Sequence, residues 1–225
     1  MRSILVLGLA GAVVALGQQV AAEKREAIAR AMVKDEPIVE RAEFAAYLDP
    51  LVERVASHVP DSPADWAWKA LVTRRESAEP RLLPDGTILL PLKILAKVRN
   101  EAEMSALIAH GVAHHALLFL RTHGDGPLVM FSGDLVPAAM AAELAGKERK
   151  ADADTVAALA AAGYDSSAWR GLAVRLNLNR EVGEGVPGGV PDSAAFEAFR
   201  AEIDAITAVK APTLRRPGES PVRRW

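Results

Sequence analysis

The stretch Asn100-Glu-Ala-Glu-Met-Ser-Ala-Leu-Ile-Ala-His110-Gly-Val-Ala-His114 decides how the rest of the chain is read. Asn100 is a helix cap, and Glu103 stands three residues on, the spacing of a capping box. The helix opened there is expected to run to about Leu120, before His123-Gly124-Asp125-Gly126. The chain has five histidines, and His110, His114 and His115 are three of them. His110 and His114 are spaced i, i+4, so both imidazoles share one helix face, one turn apart. Two ligands of one tetrahedral ion need that arrangement. Two ordinary helix histidines, one packed and one solvated, satisfy the same spacing.

Downstream, Glu148-Arg149-Lys150-Ala151-Asp152 lies in a second helix, expected from about Pro137 to Ala162 and stopped by Gly163. Glu148 is a candidate third metal ligand. Asp152, four residues on and on the same face, is placed to orient a ligand imidazole through its other nitrogen. Lys147, Arg149 and Lys150 also allow a solvated charge run. His115 points about 100° away from His114 on a helix, and neither Asp154 nor His123 has a motif role.

Upstream, Leu82-Leu-Pro-Asp-Gly86-Thr-Ile-Leu-Leu90 is a hairpin about a Pro-Asp-Gly turn. Trp66–Thr73 is a candidate strand, and Pro91–Val98 a short helix. Glu23–Lys34 and Ile38–Tyr47 have helical composition. Asp49-Pro50 has the form of a cap followed by Pro at the first helical position, with Leu51, Val52, Val55 and Val59 on one face. Ser166–Leu176 and Ser193–Val209 complete the helices. Gly183–Pro191 is a Gly/Pro-rich loop. The expected fold class is mainly α with a small antiparallel β-sheet (α+β).

The 225 residues are half apolar and a quarter charged, with a net charge of −2, a globular profile that favours neither nucleic acid nor a membrane surface globally. Cysteine is absent, which excludes disulfides, thiolate metal sites and thiol nucleophiles. Any metal must be held by His, Asp or Glu. Arg2 precedes the apolar run Ile4–Gly17, and Val20 and Ala22 are small, the pattern of a secretory signal (1–22) cleaved after Ala22. An uncleaved anchor is the alternative, although about 20 apolar residues are wanted for a span. Either reading makes the body periplasmic or secreted. It divides into a helical extension (23–47), a domain (48–209) and a tail (210–225) with Arg215, Arg216, Arg223 and Arg224, a candidate for peripheral membrane contact. Trp66, Trp68 and Trp169 are read as packing residues and His58 as a helix-end histidine.

The stretch from Asn100 to His114 resembles the N-E-A-E-L-A-A-V-L-A-H-E-I-A-H of the M-forty-eight family of zinc metallopeptidases, the HtpX, BepA and CAAX prenyl protease type. Glu148-Arg-Lys-Ala-Asp152 resembles that family's E-x-x-A-D, and Ala162-Gly-Tyr-Asp165 its A-G-Y-D. The resemblance covers about Leu48 to Leu176. It implies a zincin-like metallopeptidase domain with one zinc ion on His110, His114 and Glu148, and Asp152 behind the ligands. It further implies that the hairpin offers an edge strand to an extended peptide or envelope protein.

The resemblance breaks at the general base. The family's Glu directly after the first His is Gly111 here, which has no side chain to move a proton. Glu103 is two turns from His110, about 10 Å along the axis, too far to replace it. Relatives such as BepA carry a later His in a T-H-P stretch, and this chain has no His after His123. No catalytic residue can therefore be named. Peptide hydrolysis is expected to be weakened or lost. The alternatives are a pseudopeptidase that binds extended segments, and a helical envelope domain whose His pair is structural.

Overall fold

A computed structural model describes residues 22–76, 80–114, 128–129, 138–178 and 182–209. The order is α1 (22–33), α2 (Ala42–Ala56), β1 (Lys69–Thr73), β2 (Arg81–Leu82), β3 (Thr87–Pro91), α3 (Leu92–Leu95), α4 (Glu101–Ala113), β4 (Leu128–Val129), α5 (Ala138–Ala161), α6 (Ala168–Arg175) and α7 (Ala194–Val209). The chain is mainly helical with one small sheet. Residues 1–21 of the expected signal segment, and the basic tail, lie outside the described residues.

The helix α4 is the axis of the fold. Each of its residues is buried, and it packs on α2, α5, α6 and β2. Apart from Glu101, Glu103, Ser105 and His110, its residues are apolar or small all round, and such a helix has no face to give to water. Asn100 Oδ1 accepts from Glu103 N at 2.8 Å, as the capping pattern predicts. The Glu103 carboxylate reaches back to Arg99 N at 2.8 Å and is also paired with Arg175. Glu103 is thus committed to the helix start. The N-termini of α4 and α7 cap each other: Glu101 N donates to Asp192 Oδ1 at 2.7 Å, and Ser193 N to Glu101 Oε2 at 2.8 Å.

The sheet runs β1-β3-β2-β4. The hairpin forms as expected, with Arg81 opposite Leu89 and Leu82 opposite Ile88. Gly86 takes φ +90°, and its N–H closes the turn on Leu83 O at 3.1 Å. The sheet is mixed, however, because β1 runs parallel to β3, with Lys69 opposite Thr87 and Thr73 opposite Pro91. The buried run Thr87–Pro91 is a central strand with neighbours on both sides. The hairpin is accordingly no sheet edge: β3 lies between β1 and β2, and β2 pairs on its far side with β4. Leu82, Ile88 and Leu90 face the main core, while Leu83 and Leu89 face a smaller cluster with Ala29, Met32 and Val33 of α1.

The start of α2 corrects the sequence reading. Asp49-Pro50 opens no helix; Pro50 lies inside one that began at Ala42. Phe44, Tyr47, Leu48, Leu51, Val52 and Val55 form one buried stripe at 3.6-residue period. Burying it offsets the roughly 3 kcal/mol cost of an internal proline. The boundary between 47 and 48 therefore falls within a helix, and α2 belongs wholly to the domain. Ile38, expected to be helical, instead bridges Thr73 at the outer side of β1.

One buried ion cluster ties the 34–39 segment to the sheet. The Glu36 carboxylate accepts from Arg75 Nη2 at 2.8 Å and Nε at 3.1 Å, and from Arg81. Burial pushes its pKa up, but the hydrogen bonds and charges of Arg81 and Arg75 outweigh this and hold it below the ordinary 4.5. Glu36→Ala leaves the Arg81 side chain, 12% exposed, without its counter-ion. It should cost about 3 kcal/mol and lower the melting temperature by roughly 6–12 °C at pH 7. The unfolded chain binds the proton more readily than the folded one, so this contribution is present above pH 4.5 and fades as pH falls through the lowered native value. Thermal melts of both proteins from pH 7 to pH 3 should therefore converge.

Candidate metal centre

The last turn of α4 and the middle of α5 build the site. His110 is fully buried, and His114 is 1% exposed. His114 is the C-cap residue rather than a mid-helix position, and its N–H still closes on His110 O at 3.2 Å. Its side chain therefore keeps the one-turn offset that the i, i+4 spacing requires. Across from them, α5 presents Glu148, Asp152 and Thr155 at i, i+4 and i+7, one face of the helix.

The three candidate ligands converge as expected. His110 Nε2 lies 2.9 Å from His114 Nε2. Glu148 Oε2 lies 3.7 Å from His110 Nε2 and 3.5 Å from His114 Nε2. Tetrahedral ligands with bonds of about 2.0–2.1 Å stand about 3.3–3.4 Å apart, and the three observed edges bracket that spacing. The donor set of two imidazoles and one carboxylate suits a divalent ion with an open fourth position. The Glu148 side chain is 25% exposed, so the site reaches solvent on its carboxylate side. Among the described residues this is the cluster of His and acidic groups that could hold a metal ion.

Behind the ligands, Asp152 Oδ1 lies 3.4 Å from His110 Nδ1. Trp169 Nε1 of α6 donates to the same oxygen at 3.0 Å. The Trp169 ring stacks on the His110 ring, with centroids 4.4 Å apart and planes at 27°. Thr155 Oγ1 lies 3.4 Å from His110 Nδ1 and donates to Ala151 O at 2.7 Å.

Two of these partners went unread in the sequence. Thr155 was legible, since it follows Asp152 by three residues and so shares its face. Trp169 carries no such signal, because it comes from another helix. Trp66 and Trp68 are rim packing, part-buried against the core with ring centroids 5.0 Å apart. His58 sits just past α2, its Nδ1 2.8 Å from Arg54 O.

Gly111, the residue directly after His110, is buried in the last turn of α4. Asp154 accepts from Lys150 Nζ at 2.6 Å. His115 and His123 lie outside the described residues. Compared with known proteins, the chain matches no family model and no curated protein.

Proposed function

We propose that this chain is an extracytoplasmic zinc metallopeptidase-like domain, a metalloendopeptidase by ancestry whose hydrolytic activity is weakened or lost. The convergence of His110, His114 and Glu148 from two helices supports the reading, with Asp152 behind His110. Zinc, when bound, supplies Lewis acidity that polarises a carbonyl and acidifies water. The chain's own groups hold the ion and orient its ligands. Proton transfer to the leaving amine needs a carboxylate in the place of Gly111, and no described residue provides one. Loss of such a group costs about 10²- to 10⁴-fold.

The second reading is a pseudopeptidase that binds an extended peptide or envelope protein without cutting it, and Gly111 is the residue that favours it. Its capture edge would not be the hairpin, whose strands are paired on both sides. The signal-like N-terminus supports a periplasmic or secreted location for both readings. Among the described residues no helix is long and apolar enough to cross a membrane.

Metal analysis of the purified protein and casein cleavage with and without chelator test these readings together. One zinc per chain with trace, chelator-sensitive cleavage is the expected result. Zinc without any cleavage selects the binding module. Absence of zinc defeats the peptidase reading and leaves a metal-free binding module or a structural His pair.

A further inference from the structure

Trp169 reaches the site from a helix that contributes no ligand, and its position there is tightly determined. Its side chain is fully buried. The turn that leads into α6 is pinned from two sides. Asp165 Oδ1 accepts from Ser167 N at 2.9 Å and from Ser167 Oγ at 2.6 Å. The 182–191 loop lies flat against the same turn. Val190 N donates to Gly163 O at 2.9 Å, and a Cβ on Gly185 would stand 2.4 Å from Ser166 O. Only a glycine at 185, at φ +64°, lets the loop approach this closely. The indole is therefore delivered to His110 by a backbone with little freedom.

Its two contacts act on different groups. The indole N–H can only donate, and it is spent on Asp152 Oδ1. A carboxylate turns easily about its last torsion, so a fixed donor on that oxygen sets which way Asp152 faces. The same oxygen faces His110 Nδ1. Thr155 Oγ1, whose hydrogen goes to Ala151 O, also presents lone pairs to Nδ1. With acceptors on that side, His110 carries its proton on Nδ1, and the Nε2 lone pair is left facing His114 and Glu148. The ring face meanwhile blocks rotation of the imidazole and favours the positive charge that a bound cation induces on it.

Resting on the reading of His110, His114 and Glu148 as metal ligands, we propose that Trp169 is a positioning residue of the metal centre. It holds Asp152 and His110 in the orientation and tautomer that a divalent cation needs. A packing role alone would require only the ring. The proposal requires the N–H as well.

Two replacements separate these. Trp169→Phe keeps a ring and removes the donor. Benzothienylalanine at 169 keeps the full bicyclic shape and exchanges N–H for sulfur. Each protein, checked for folding by circular dichroism and melting, is titrated with cobalt(II) and followed by visible d–d absorption and tryptophan emission. The native chain should bind one cobalt, with quenching of a buried, blue-shifted emission that the variants lack. Both variants should bind cobalt about 10- to 100-fold more weakly, with an altered d–d band. Native affinity and an unchanged band in the benzothienylalanine protein would reduce Trp169 to packing, whatever happens to the melting temperature. Failure of the native chain to take up cobalt would instead remove the ligand reading itself, and this proposal with it.

Discussion

Glutamate in place of Gly111 is expected to raise casein cleavage by the zinc-loaded protein about 10²- to 10⁴-fold. The position follows His110 directly, in the last turn of α4, two residues before the helix ends at Ala113. The local backbone is already helical, and glycine there costs about 0.5–1 kcal/mol relative to alanine. The opposing cost is space, because Gly111 is buried. The comparison is therefore made at matched zinc content, with a melting curve to confirm folding. Cleavage that rises with Gly111→Glu and disappears with chelator would identify the missing proton carrier as the main defect. A variant that loads zinc and stays inert would place the defect elsewhere as well, in keeping with the lack of any histidine after His123.

The second large effect concerns the ion itself. Zinc at about a thousand times its dissociation constant should stabilise the native chain by about 4 kcal/mol, and raise its melting temperature by roughly 8–16 °C over the chelated protein. Glu148→Gln keeps the shape of the side chain and removes its charge. The residue lies on the solvent side of the site, 25% exposed, so the fold should survive the change. Zinc affinity should fall by more than the 10- to 100-fold typical of groups that only orient a ligand. His110→Ala should abolish the zinc-dependent shift. Melting curves of the three proteins, with zinc and with chelator, check this. Equal curves for the native chain under both conditions would rule out a metal-stabilised fold.

Much of the site could be read from local spacing. His110 with His114, and Glu148 with Asp152, are four residues apart on helices, and that interval alone puts each pair on one face. Whether the two faces meet is not a local property. It depends on α4 and α5 packing together, which brings Glu148 Oε2 to 3.5 Å from His114 Nε2 across more than thirty residues of chain. Pro50 marks the opposite failure. Its local preference pointed to a helix start, and the long apolar stripe of α2 overrode it, because burial along four turns outweighs one missing hydrogen bond.

Short-range chemistry, written in the residues themselves, determined the capped start of α4 at Asn100, the Pro-Asp-Gly turn, the stop at Gly163 and the two face-sharing pairs. Tertiary packing alone decided that β1 runs parallel to β3, that β4 covers the hairpin, and that Trp169 touches both Asp152 and His110. The division has one physical cause. Helix faces and turns are set by torsions within a few residues, whereas strand order and the third partner of a buried histidine are set by which surfaces exclude water together.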